Sequence, residues 1–301
     1  MNNVNKKLVV RLSEGIGNQL FMYANAYSLS KKFDYNLFID NTSGYFKAKN
    51  KIRNYELNNF LINENIASNN LKFDTFFKEC KRKILKKFDK YNSNKNFLIE
   101  YKDFSKKTYY KELNLNNFSN LIFLEGHFEC EKYFSEYRNN LINMFKIKTN
   151  LINNSNNYIA ELSNNNSVSI CVRQNRFSEG RIKDNTKSLK FTKDTINYIN
   201  RSIDHIKNRV KNPKFFIWSN DFSNLGHYFN EKEFTFIDNK SHKALNDFHL
   251  FSYSKHFIVG PTSFHWWGAW LNNNPNKICI RPKNINPSNN IDFWPEQWTS
   301  I

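Results

Sequence analysis

Val259-Gly260-Pro261-Thr262-Ser263-Phe264-His265-Trp266-Trp267-Gly268-Ala269-Trp270-Leu271 carries an apolar strand, expected at 256–259, into an aromatic helix. Gly260 and Pro261 punctuate the end of the strand. Three tryptophans within five residues would be costly to expose, which predicts a buried helix. In an open α/β sheet, ligands sit at the carboxyl ends of strands. The N–H groups that open the following helix favour an anion such as a diphosphate. A buried helix with an incidental Thr-Ser cap is the plain alternative for this stretch alone.

Around this stretch the pattern is regular. Strands are expected at 168–173, 215–219, 234–237 and 277–281, with helices over 192–211, 243–254 and 263–272. Strands alternating with helices of this length imply a parallel sheet covered on both faces. The amino-terminal end repeats the theme. A strand at 9–12, the turn Ser13-Glu14-Gly15-Ile16-Gly17-Asn18-Gln19, a helix over 20–32 and a strand at 36–40 form a βαβ unit. A strand at 121–125 and a helix over 130–145 follow. Asn-rich stretches at 150–157 and 163–167 mark an interdomain join, which divides the chain into domains 1–160 and 161–301. The expected fold is α/β, with two Rossmann-like domains facing across a cleft.

The region 42–120 is less legible, apart from one basic amphipathic helix. Phe73, Phe76, Phe77, Cys80, Ile84, Leu85 and Phe88 recur at helical spacing, and Lys78, Lys81, Arg82, Lys83, Lys86 and Lys87 fill the other face. The ordinary expectation places the apolar stripe on the core and the lysines in water. Contact with an anionic membrane surface or a charged acceptor is the alternative.

A net charge of +18 could attract nucleic acid, an anionic membrane face or an anionic substrate. A basic nucleic-acid-binding protein is therefore the rival class. Against it, the basic residues are dispersed and no motif of that class occurs. The four cysteines form no Cys-x-x-Cys pair and read as reduced thiols. No apolar run reaches the length of a membrane span, and the first residues lack the apolar core of a signal peptide. A cytoplasmic protein is expected, with peripheral contact at the inner membrane face as an option.

Two further segments could carry chemistry. Gly15-Ile16-Gly17-Asn18-Gln19 has a Gly-x-Gly but neither the third glycine of the dinucleotide fingerprint nor a Gly-Lys-Ser/Thr. Asn18 and Gln19 offer amides that could recognise a sugar or phosphate. In Cys171-Val172-Arg173-Gln174-Asn175-Arg176-Phe177-Ser178-Glu179, a strand ends in a guanidinium suited to bidentate recognition of phosphate oxygens. A surface ion pair with Glu179 or Asp184 is the alternative. His127 and His265 lack metal-ligand spacing.

Taken together, these segments resemble the bacterial α-1,2-fucosyltransferases of glycosyltransferase family 11. The resemblance rests on Gly17-Asn18-Gln19-Leu20-Phe21-Met22-Tyr23-Ala24, on the run from Leu124 through Gly126-His127-Phe128-Glu129 to Phe134, and on Phe216-Ile217-Trp218-Ser219-Asn220-Asp221. It continues through Thr262-Ser263-Phe264-His265-Trp266-Trp267-Gly268-Ala269-Trp270-Leu271 to Trp294-Pro295-x-x-Trp298. It implies a GT-B fold, a GDP-sugar donor such as GDP-fucose, no metal or other cofactor, and inversion at the anomeric carbon. A galactose-terminated oligosaccharide or lipid-linked glycan is the implied acceptor.

Carried over by position, Arg173 would hold the diphosphate, and Thr262, Ser263 and Phe264 would line its site. Ser219 and Asp221 would lie near the nucleoside and Asn18 at the cleft floor near the transferred sugar, with Gly17 and Gln19 also among the donor-binding residues. For the general base, Glu179 is the first candidate and Glu129 the second. The chain departs from the family's His-x-Arg-Arg-x-Asp-Tyr, of which only the first Arg survives, at Arg173. Another GDP-sugar donor is therefore an open alternative.

Overall fold

The computed structural model describes residues 6–47, 53–100, 107–152, 157–164, 166–178, 183–238, 243–286, 288 and 290–301. The chain forms two compact units, Met1–Lys146 with Ser288–Phe293, and Ile147–Pro287 with Trp294–Ile301. The join thus falls ahead of the Asn-rich stretches, and a short carboxyl-terminal segment returns to the first unit. Each unit is α/β, and every strand pairing in it is parallel.

The first unit contains β1 (Lys7–Arg11), α1 (Ile16–Lys32), β2 (Asn36–Asp40), α2 (Phe76–Asp89), β3 (Lys95–Ile99), β4 (Phe118–Glu125) and α3 (Arg138–Met144). Its sheet has the order β2-β1-β4-β3. Leu8, Val9, Val10, Ile122 and Leu124 fill its centre against Leu20, Phe21 and Ala24 of α1. Helix α1 starts earlier than its apolar pattern implies, because Gly15 serves as its N-cap. The helix expected over 130–145 is broken into two 3-10 turns, Glu131–Tyr133 and Ser135–Tyr137, ahead of the short α3. Strand β3 lies in the stretch where sequence periodicity was weakest.

Helix α2 overturns the ordinary expectation for its faces. Its buried residues are Glu79, Arg82 and Asp89, whereas Phe76, Phe77, Ile84, Leu85 and Phe88 are exposed. The Arg82 guanidinium bonds Glu79 (Nε–Oε2 2.7 Å, Nη2–Oε1 2.9 Å), and its Nη1 lies 2.6 Å from both oxygens of Glu125. Lys86 joins Glu125 at 2.7 Å. Hydrogen bonds from Arg82 hold the Glu79 carboxyl down at about 2 against the opposing effect of burial. Buried charges persist only when paired and hydrogen-bonded, and this cluster meets that condition.

The second unit contains α4 (Asn157–Asn164), β5 (Asn166–Val172), α5 (Asn185–Lys207), β6 (Pro213–Ser219), β7 (Phe234–Phe236), α6 (Lys243–Phe251), β8 (His256–Ile258), α7 (Ser263–Leu271), β9 (Cys279–Arg281) and β10 (Thr299–Ser300). Its strand order is β10-β9-β8-β5-β6-β7. The chain therefore builds outward from β5 to β7, then returns to the other side of β5 with β8. That reversal is the switch point where an open α/β sheet leaves a crevice beyond its strand ends. Tyr198 of α5 fastens this edge, with its hydroxyl 3.1 Å from the Val259 carbonyl and 2.8 Å from that of Ile280. Helix α5 begins at Asn185, where Asp184 caps it by accepting from the Lys187 amide.

Candidate active site

Arg173 follows β5 directly, and Gly260 to Ser263 follow β8, its hydrogen-bonded neighbour. The two segments expected to hold a diphosphate therefore meet at the switch point of one sheet. A Cβ on Gly260 would come within 2.4 Å of the Cys171 carbonyl oxygen and 2.7 Å of His265 Nδ1, so only glycine lets the two strand ends approach this closely. Thr262 caps α7 in extended conformation, and its hydroxyl accepts from the His265 amide at 3.2 Å. The amides of Ser263 and Phe264 precede that bond and are the first donors of the helix. The Phe264 ring turns toward α6, packing on Phe248 and Phe251 at 5.6 and 5.7 Å. Its backbone, not its ring, is the part suited to a phosphate.

The loop after Arg173 is fastened on both sides. On the β6 side, the Gln174 amide donates to Asn220 Oδ1 at 2.8 Å, and Gln174 Nε2 donates to the Asp221 carbonyl at 2.7 Å. Asn175, in left-handed conformation (φ 58°), donates to Asp221 Oδ2 at 2.9 Å. On the β8 side, Arg176 donates to the Pro261 carbonyl at 3.2 Å. Gln174, where the family resemblance leads one to expect a second arginine, is buried and bridges loop to loop. Ser219 and Asp221 shape this junction: the Ser219 hydroxyl donates to the Asp221 carbonyl at 2.6 Å. Such bonds pre-set the position of Arg173.

His265 lies beside Arg173. Burial first, and then the positive charge of Arg173, push its imidazole down to about 3. Among the described residues, its Nδ1 is buried without a hydrogen-bond partner. His265 is therefore neutral near pH 7, and cationic charge here comes from the guanidinium. The unfolded imidazole takes a proton near pH 6.5, whereas the folded one resists until about 3. Acidification between those values favours the unfolded chain, by up to about 1.4 kcal/mol per pH unit. His265→Ser is expected to lose part of this acid sensitivity, measured as the urea midpoint at neutral and mildly acidic pH. Equal acid losses in both proteins would contradict it.

In the first unit, a cavity of about 590 Å³ is lined by Arg11, Ser13, Met22, Ile99, Glu100, Glu125, Gly126 and His127. It lies at the carboxyl ends of β1, β3 and β4, with the switch point of this sheet between β1 and β4. The turn after β4 is unusual: Gly126 has φ 147° and Phe128 φ 52°. Glu100 braces it by accepting from the amides of His127 at 2.8 Å and Phe128 at 3.0 Å. Held strain of this kind is characteristic of functional turns. His127 Nε2 faces Glu14 Oε1 at 3.6 Å, and Asn18 donates to Glu14 Oε2 at 3.1 Å.

Gln19 departs from its expected ligand role. It is fully buried, donating to the carbonyls of Glu14 and Asn54 at 2.9 and 2.8 Å and accepting from the Glu56 amide at 2.9 Å. Its amide holds the turn and leaves Asn18 as the nearby polar side chain. Gly17 is buried in the first turn of α1. Glu129 is buried and does not line the cavity; Glu179 lies outside the described residues. The sequence reading missed Arg11, Glu100 and Glu125 at the cavity, because strand ends with single charged residues carry no distinctive pattern.

Two parallel-sheet units, each with polar groups gathered at its switch point, define an α/β protein of the GT-B type. Solved structures share this fold: the fucosyltransferase NodZ from Bradyrhizobium is 13% identical, with a TM-score of 0.52 over 94% of this chain and 97% of that one. Arabidopsis thaliana FUT1 in complex with GDP is 11% identical, with a TM-score of 0.50 over 93% and 71%. The family model for glycosyl transferase family 11 matches residues 7–300, and the chain belongs to that family. An α-1,2-colitosyltransferase of Escherichia coli is 29% identical, covering 98% of both chains. The O-antigen biosynthesis glycosyltransferase WbnK, also of Escherichia coli, is 26% identical over 94% of this chain and 98% of its own length. The chain is thus a glycosyltransferase.

Proposed function

We propose that this enzyme transfers L-fucose from GDP-fucose to the 2-hydroxyl of a galactoside, with inversion and without a metal. The observation that carries the reading is the convergence of Arg173 with the start of α7 on one switch point. In the proposed step, the acceptor oxygen bonds to the anomeric carbon as the bond from that carbon to the diphosphate oxygen breaks. GDP leaves with the electron pair, and the acceptor proton passes to a base. Arg173 and the amides of Ser263 and Phe264 would stabilise the charge growing on the diphosphate. Ser219 and Asp221 would stand nearer the nucleoside, and the cavity of the first unit would take the acceptor. Asn18, held by Glu14, would lie near the transferred sugar.

The base is sought among Glu179, Glu129 and His127, of which His127 lines the cavity and faces Glu14. Glu179→Gln, Glu129→Gln and His127→Asn are expected to differ sharply. The one that removes the base should lower kcat by about 100- to 10,000-fold and abolish the acidic limb of the pH–rate profile. Unchanged profiles in all three would eliminate the set.

The similarity to an α-1,2-colitosyltransferase favours a second donor reading, in which the transferred sugar is colitose. Mass spectrometry of products formed from GDP-fucose or GDP-colitose with a panel of galactosides decides between them. A fucosylated galactoside, formed equally well in EDTA, is the expected result. Product only from GDP-colitose would replace the donor assignment, loss in EDTA would end metal independence, and no GDP binding would end the reading.

A further inference from the structure

We propose that the outer face of α2 is a docking surface for an anionic lipid bilayer. The helix turns Glu79, Arg82 and Asp89 inward and its large apolar side chains outward. Phe76 is 69% exposed, Phe77 83%, Ile84 56% and Phe88 61%, and Tyr91 continues the row just beyond the helix. Phe77, Ile84 and Phe88 share one stripe at helical spacing. Single exposed apolar residues are ordinary, but a contiguous row of large ones marks an interaction surface.

Both carboxylates of α2 are withdrawn from this face. Glu79 is tied to Arg82 and Lys47, and Asp89 accepts from the amides of Asn96 and Phe97 at 2.7 and 2.9 Å. The exposed charged residues along the helix and its end are Lys81, Lys83, Lys87 and Lys90. An apolar stripe rimmed by cations matches the headgroup–acyl boundary of an anionic leaflet, where the rings enter the boundary and the ammonium groups meet lipid phosphates.

A second copy of the chain is a poorer occupant, because pairing this face with itself brings the same lysines together in a chain of net charge +18. A nucleic acid would engage the lysines but offers nothing to bury Ile84 and Leu85. The fold also holds the helix firmly for this purpose: Arg82 and Lys86 grip Glu125 at the end of β4. That same Glu125 lines the cavity of the first unit. Among the described residues no helix is long and apolar enough to cross a membrane, so α2 would bind along the surface.

The test is co-sedimentation of the full chain with vesicles of phosphatidylethanolamine and phosphatidylglycerol, with phosphatidylcholine vesicles as the neutral control. The wild type is expected to bind the anionic vesicles more tightly, and less so in high salt. Replacing Phe77, Ile84 and Phe88 together by serine should weaken binding by roughly 100-fold or more. Each lysine among Lys81, Lys83 and Lys87 replaced by serine should cost about fivefold on anionic vesicles alone. All six positions are exposed, so GDP binding and circular dichroism should be unchanged in the variants, which separates this surface from the donor site. The proposal is overturned if the wild type ignores anionic vesicles or if the apolar triple variant binds them normally. It is also overturned by a solution dimer that the triple variant dissolves, or by RNA retention without vesicle binding.

Discussion

Arg173→Ala is expected to lower kcat by roughly 100-fold or more, the scale for losing one preorganised donor to a developing anion. The guanidinium follows β5 at the switch point, and the loop behind it is fastened to Asn220, Asp221 and Pro261. On the proposed function, that fastening removes the need to reorganise when the diphosphate charge grows. His265 cannot take over, since burial and Arg173 itself keep it neutral. Arg173→Lys should fall between the two, because lysine keeps the charge but loses the planar fork. GDP affinity measured by calorimetry should fall with Arg173→Ala as well. Near wild-type turnover of Arg173→Ala would refute the assignment of the diphosphate site.

The second large effect concerns stability. Trp266→Ala is expected to cost about 3–5 kcal/mol, a substantial share of the total stability of a typical domain. Trp266 is fully buried, 4.9 Å from Trp267, stacked on Trp270 at 5.8 Å and 5.7 Å from Trp298. Trp298 in turn packs on Trp294 at 6.0 Å, so the carboxyl-terminal tryptophans complete the core around α7. Removing one indole leaves a cavity that its rigid aromatic neighbours fill poorly. Urea denaturation followed by circular dichroism measures the loss. A cost below about 1 kcal/mol would mean that the aromatic cluster collapses around the gap.

The switch point of the second unit was more legible in the sequence than the cavity of the first. A strand ending in arginine and a strand running into a capped helix are local patterns, and the parallel sheet places both at one end by its own geometry. The cavity of the first unit draws on Arg11, Glu100 and the turn from Glu125 to His127, three segments distant in sequence. Its bracing contact, Glu100 on the amides of His127 and Phe128, has no local signature. Gln19 illustrates the opposite error. A polar residue beside a glycine suggests a ligand contact, yet its side chain serves buried backbone groups that would otherwise lack partners.

By itself the sequence determined the class of the fold, the βαβ rhythm of both units and the aromatic helix after β8, because periodicity and punctuation are properties of neighbouring residues. It also determined which residues of α2 share a face. Only the tertiary structure decided which way that face points, since the answer depends on Glu125, 43 residues away from Arg82. Two carboxylates drew the guanidinium inward, and the phenylalanines were left outside. Hydrophobic spacing records a helix's asymmetry, whereas orientation is settled by partners that the chain brings together only on folding.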